Sequence, residues 1–188
     1  MEVTVRKASL SPAQPQVLDR AAFAELYATY LPKVYNYVSY RVGDKADAED
    51  ITSAIFERAL TRLHTYRANR GAFSTWLFTI ARNVVSNHFR SRRRQPEVRS
   101  LENVSPVAVS GTSSEQAVIE AEQLRQVQVC MSRLPKRDQE VLAFKFGAGL
   151  TNQEIAQMMG LKPTHVGVLL YRAVRKLRLA VEEEADDG

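Results

Sequence analysis

From Phe23 to Val38 the residues Phe23, Leu26, Tyr27, Tyr30, Leu31, Val34, Tyr35 and Val38 recur three and four positions apart. That spacing gathers them on one side of an α-helix but scatters them over both faces of a strand. The same period returns along the chain. Ile51, Ile55, Phe56, Ala59 and Leu60 are expected to point inward from a helix that opens at Asp44 to Asp50 and runs to about Thr61, and Phe73, Trp76, Leu77, Ile80, Ala81, Val84 and Val85 do so between Ala72 and Arg90. Further helices are read from near Glu115 through Leu124, Val127 and Met131 to Leu134, from Pro135 with Val141, Leu142, Phe144 and Phe146, from Asn152 to Met159, and from Pro163 to about Val181. No segment alternates with the two-residue period of a strand, so the predicted fold is all-α. Pro32 is expected to kink the first helix or split it in two.

The breaks divide these helices into two small domains joined by a flexible linker. Residues 1–18, interrupted by Ser11-Pro12 and Pro15, read as a mobile leader, and structure is expected to begin near Asp19. Residues 19–94 form a first domain and 115–181 a second, separated by the serine-, proline- and valine-rich stretch 95–114 and followed by an acidic tail, 182–188. With 188 residues, 45% of them apolar, such a chain buries a real core and is neither disordered nor a disulfide scaffold. The single cysteine, Cys130, excludes an internal disulfide, and His64, His88 and His165 are too scattered to share a metal. Neither a signal-peptide core before Gln16 nor a stretch of membrane-span length is present, so the expected compartment is the cytoplasm.

The net charge of +5 points to a polyanionic partner, and its distribution says more. From Thr151 to Val166 the sequence places Ala156, Gly160 and Val166 at helix-turn-helix spacing: a small residue where two helices cross, a glycine for the left-handed turn, and an apolar anchor for the second helix. Thr151 with Glu154 three residues on makes a capping box. No acid occurs from Ile155 to Val181, whereas Lys162, Arg172, Arg175, Lys176 and Arg178 are basic, as a helix lying on DNA phosphates requires. Between Thr65 and Arg99 eight arginines stand against one acid, Glu97, interleaved with Tyr66, Phe73, Trp76, Phe78 and Phe89. Charge beside aromatic rings suits melted or single-stranded nucleic acid, although Phe73 and Trp76 at helical spacing also suit a core. The acidic helix start Asp44 to Asp50 complements a helix dipole or docks a basic protein surface.

In this order the three signals resemble the extracytoplasmic-function class of bacterial RNA polymerase sigma factors, of the sigma-70 family, over about residues 20–94 and 115–180. The resemblance implies a factor that binds core RNA polymerase through the coiled coil of its largest subunit and through its flap, and that recognises and opens promoter DNA. Asp47 to Leu60 is similar to the core-binding region, which implies polymerase contacts at Asp47, Asp50, Ser53 and Phe56, with Ser53 where the family usually has glutamine. Phe73 to Asn83 is similar to the region that reads and melts the minus-10 element, which implies DNA contacts at Ser74, Thr75, Trp76, Arg82 and Asn83, with Arg90 further along. Recovering the few kcal/mol that extruding a base costs falls to such hydrogen-bonding side chains. Leu134 to Phe146 and the helix-turn-helix are similar to the minus-35 region. There Gly167, Val168 and Leu169 stand where relatives often have polar residues, so Thr164 and His165 are left to read base edges while Arg172, Arg175 and Lys176 hold phosphates. An anti-sigma factor is a further implied partner. Thr52, beside Asp50, is read as a plain helix-surface threonine, with a phosphorylation switch as the alternative.

Nothing resembles an active site: there is no phosphate-cradling glycine loop, no metal spacing, and no nucleophile paired with a base, so neither catalytic residues nor a cofactor nor a small-molecule substrate is expected. Two rival readings are a stand-alone helix-turn-helix regulator, which would bind its operator without polymerase, and a helical nuclease built on the acidic cluster, which would lose activity to a chelator. The pairing of Trp76 to Asn83 with Asp47 to Asp50 separates the sigma-factor reading from both.

Overall fold

A computed structural model describes residues 20–94 and 126–186. The expected leader, the linker and the first part of the helix read from Glu115 lie outside the described residues. Every regular element among the described residues is a helix, without strands: α1 (Arg20–Val42), α2 (Lys45–Thr61), α3 (Phe73–Arg94), α4 (residues 126–133), α5 (Lys136–Leu142), α6 (Asn152–Met159) and α7 (Pro163–Asp186). Two short 3-10 turns, Leu63–Thr65 and Ala68–Arg70, join α2 to α3.

Pro32 lies inside α1, which runs as one helix across it rather than splitting. Val34, Tyr37 and Val38 are fully buried just beyond it, so tertiary packing offsets the backbone hydrogen bond that proline removes. Asp44 caps α2, its carboxylate accepting from the Asp47 N–H at 2.8 Å. The buried stripe of α2 is Ala48, Ile51, Thr52, Ile55, Phe56 and Ala59. Leu60, expected inward, is 46% exposed, because one further step of about 100° round the helix carries it past the edge of that stripe. Thr52 is corrected in the opposite sense: it is 4% exposed and belongs to the core.

In the second half, α5 opens after Pro135 and its last turn widens into a π-helical segment, Ala143–Gly147, closed by the Ala148 N–H donating to the Ala143 carbonyl at 2.9 Å. The wider turn shifts the register of the side chains. Phe144 is fully buried, whereas Phe146, counted with the apolar period, is 58% exposed.

The two halves share one core. The Tyr37 ring of α1 stacks on Phe144 at 4.8 Å between centroids and meets Phe78 of α3 edge-on at 5.6 Å. Gly147 sits against the α1 backbone so closely that a Cβ there would lie 3.0 Å from the Tyr37 Cα and 3.1 Å from its nitrogen. Since backbone cannot swing aside as a side chain does, Gly147→Ala is expected to destabilise the protein by about 1–3 kcal/mol, the usual cost of overpacking, read as a lower urea midpoint. A midpoint equal to wild type would show that the two halves yield freely.

Candidate nucleic-acid interface

The helix-turn-helix is built as its residues dictate. The Thr151 hydroxyl accepts from the Glu154 N–H at 3.2 Å while the Glu154 carboxylate accepts from the Thr151 N–H at 2.8 Å, completing the capping box at the start of α6. Gly160 ends the helix at φ 66°, a left-handed conformation that favours glycine. Ile155, Ala156 and Val166 are buried at the crossing of α6 and α7. This leaves Thr164, His165, Arg172 and Arg175 exposed on α7, spaced by seven, eight and three residues so that they share one face. Lys176, read as a phosphate contact, is exposed as well, and its Nζ lies 2.5 Å from Oδ2 of the buried Asp138 in the first turn of α5. Val168, noted in the sequence only as a replacement for a polar residue, and Tyr171, which was not singled out, stand on the same outer face at 47% and 70% exposure. Their signal was the spacing of four and seven residues from Thr164, which sets them on its side of the helix.

The first-domain residues divide into groups. Asn83 and Arg90 are exposed on α3, and Trp76 is half-buried in an aromatic group with Phe73 at 5.3 Å and Tyr66 at 5.6 Å. Ser74 and Thr75 are buried. Ser74 donates to the Glu154 carboxylate of the capping box. Arg82 makes a two-pronged contact with Glu140, Nε to Oε1 at 2.9 Å and Nη2 to Oε2 at 3.2 Å, and its remaining Nη1 lies 3.3 Å from the Met158 carbonyl. Two residues expected at DNA are thus held by the second domain in this arrangement.

Burial alone would raise the Glu154 carboxyl pKa, but the hydrogen bonds from Ser74 and from Thr151 outweigh it and hold the carboxyl below its ordinary value. A lowered folded-state value means that the stability Glu154 contributes is complete above the ordinary carboxylate range of about 4.3 and drains away as pH falls through the lowered value. Urea midpoints measured at decreasing pH are expected to fall less steeply for Glu154→Gln than for wild type. Identical pH dependence in the two proteins would place the acid sensitivity elsewhere.

The acidic helix start is likewise shared between roles. Asp47 faces α3, its Oδ2 lying 3.2 Å from Arg92 Nη1 and 3.7 Å from His88 Nε2. Asp50 and Ser53 are exposed, whereas Phe56 is 5% exposed and packs edge-on against Tyr27 at 4.6 Å. Among the described residues there is no group of histidine, cysteine, aspartate and glutamate that could hold a metal ion, and no helix is long and apolar enough to cross a membrane.

Residues 26–95 match the family model for sigma-70 region 2, and residues 124–177 match that for sigma-70 region 4. The chain is 40% identical over 164 residues to the ECF RNA polymerase sigma factor BldN of Streptomyces coelicolor, a match covering 87% of this chain and 62% of that relative. It is 28% identical to the ECF RNA polymerase sigma factor SigW of Bacillus subtilis, covering 85% of this chain and 89% of that one. The fold is similar to that of the sigma factor RpoE of Bartonella quintana, solved in complex with the anti-sigma factor NepR, at a TM-score of 0.67 and 18% identity over 85% of this chain and 96% of that one. With both sigma-70 regions matched in order on one helical framework, this chain belongs to the sigma-70 family of RNA polymerase sigma factors, in its ECF class.

Proposed function

We propose that this protein binds core RNA polymerase and directs promoter-specific initiation, with a polymerase-docking and minus-10 domain at 19–94 and a minus-35 domain at 115–181. The observation that carries the reading is the helix-turn-helix whose exposed α7 face, from Thr164 to Arg175, stands on the same chain as a region 2 domain. A stand-alone regulator, even one with an N-terminal helical sensor domain, has no use for a sigma-70 region 2 domain. Chemistry on nucleotides belongs to the polymerase, and this chain contributes recognition without a catalytic step of its own.

In this assignment the exposed Asp50 and Ser53 of α2 meet the coiled coil of the largest polymerase subunit, while Asp47 holds α2 against α3. Asn83, Arg90 and Trp76 meet the minus-10 strand. Ser74 and Arg82 join them once Glu154 and Glu140 release them, so promoter opening requires the two domains to part. At the minus-35 element Thr164 and His165 meet base edges, Arg172 and Arg175 hold phosphates, and Val168 offers an apolar contact of the kind that reads a thymine methyl. An anti-sigma factor is the remaining partner.

The test is run-off transcription by a bacterial core enzyme supplied with the full chain on a library of promoter fragments, alongside gel filtration of the mixture. Co-elution with core enzyme and transcripts confined to particular promoters are expected. Tight duplex binding by the protein alone, without co-elution, would overturn the assignment in favour of a stand-alone regulator. Exchanging the minus-35 sequence is expected to cost less transcription than exchanging the minus-10 sequence, since so few polar side chains on α7 face bases.

A further inference from the structure

Where the end of α3 passes the start of α5, the two domains enclose a hollow of about 360 Å³ lined by Arg41, Arg90, Arg93, Lys136, Arg137 and a single acid, Glu140. That acid is already engaged by Arg82. Among the described residues Arg90, Arg93 and Arg137 pair with no carboxylate. Phe89 forms part of the wall, and two cations from opposite domains lie over its ring, the Arg41 guanidinium at 5.6 Å and the Lys136 ammonium at 5.8 Å from the centroid. Arg41 donates from Nη1 to the Lys136 carbonyl at 3.1 Å, while its Nε is buried with no hydrogen-bond partner. A second hollow of about 250 Å³ adjoins the first and shares Arg41, Phe89 and Lys136, adding the side chains of Gln128 and Gln139.

Five cations converging on one hollow repel one another, and, with its one acid engaged by Arg82, the hollow focuses a positive field on whatever anion enters. Guanidinium groups match phosphate oxygens with paired donors. We propose that this hollow is a binding site for a small oligophosphate, the pyrophosphate unit being its minimal form. The surroundings favour a compact anion over a nucleic-acid strand, because the one aromatic face in the wall is already covered by Arg41 and Lys136 and offers no platform for base stacking. Since α1 and α3 supply one wall and α5 the other, a bound oligophosphate holds the closed arrangement in which Glu140 and Glu154 occupy Arg82 and Ser74. The ligand binds one of two arrangements and so shifts the population toward it. The site stands independently of the promoter assignment.

The experiment is isothermal titration of the full chain with sodium pyrophosphate at fixed ionic strength, repeated with sodium sulfate and with a short oligothymidylate. Three proteins are compared: wild type, the Arg93→Gln, Arg137→Gln double variant, and Arg58→Gln, which changes an exposed arginine on α2 away from the hollow. Saturable one-site binding of pyrophosphate is expected, weakened at least tenfold in the double variant, unchanged in Arg58→Gln, and accompanied by a raised thermal midpoint in wild type. Pyrophosphate that binds no more tightly than sulfate, or equally well to the double variant, would overturn the proposal. So would oligothymidylate that binds more tightly than pyrophosphate and depends on the same two arginines, since the groove would then belong to a nucleic-acid backbone. If the double variant loses its helical circular dichroism, Arg137→Gln alone decides the point by the same comparison.

Discussion

Tyr37→Ala is expected to lower the unfolding free energy by about 3–5 kcal/mol, as removal of a large buried aromatic side chain does. The ring is fully buried, stacked on Phe144 from the second domain and edge-on to Phe78 in the first, so its loss opens a cavity where the two domains meet. Burial pushes its phenol pKa up, which keeps the side chain neutral throughout the range in which the protein is handled. The expected loss exceeds what most single substitutions produce, and its form is as informative as its size. Trp76 is the sole tryptophan and lies in the first domain, so its fluorescence follows that domain while circular dichroism follows both. In wild type the two signals are expected to trace one urea transition, and in Tyr37→Ala to separate into two. Coincident transitions in the variant would mean that the ion pair and capping contacts alone couple the domains. Tyr37→Phe, which keeps both ring contacts, is expected to retain the single transition.

Asp50→Arg with Ser53→Arg is expected to abolish co-elution with core RNA polymerase and promoter-dependent transcription. Both side chains are exposed on α2 and neither anchors the domain: the Ser53 hydroxyl only donates back to the Glu49 carbonyl at 3.0 Å. If α2 docks as proposed, replacing its acidic face by a basic one sets like charges opposite each other, which costs several kcal/mol at an interface and slows encounter. The same double variant is expected to melt within a few degrees of wild type, because surface substitutions away from packed contacts change stability by about half a kcal/mol. Asp47→Arg is the instructive contrast, since it places a cation against Arg92 and His88 and is expected to lower the melting temperature as well. Retention of polymerase binding by the Asp50, Ser53 variant would move the docking surface off α2.

Much of the helical framework was legible because its causes are local. The capping box at Thr151 and Glu154, the left-handed Gly160 and the buried Ala156 and Val166 are consequences of residues within a few positions of one another, and each stands where its spacing placed it. The apolar period placed α2 and α3 for the same reason, and erred at Leu60, where a stripe of finite width ends. It erred again at Phe146, because a π-helical turn breaks the 3.6-residue period. Pro32 shows local preference overruled by packing on the residues that follow it.

The expected site residues were legible by helix and not by partner. Periodicity and charge locate Arg82, Ser74 and Lys176 on their helices, but their partners Glu140, Glu154 and Asp138 lie 58, 80 and 38 residues away, and no spacing rule reaches so far. The sequence by itself determined that this chain is helical, that it carries two domains, and that the second presents a basic helix-turn-helix face, since propensity, period and capping act within a turn or two of helix. Only the tertiary structure decided that the domains close over one another through Tyr37, Phe144 and Gly147, that Arg82 and Ser74 are held by the second domain, and that five cations converge beside Phe89. Those outcomes depend on close contact between surfaces far apart in the chain, where shape and desolvation rather than local preference set the energy.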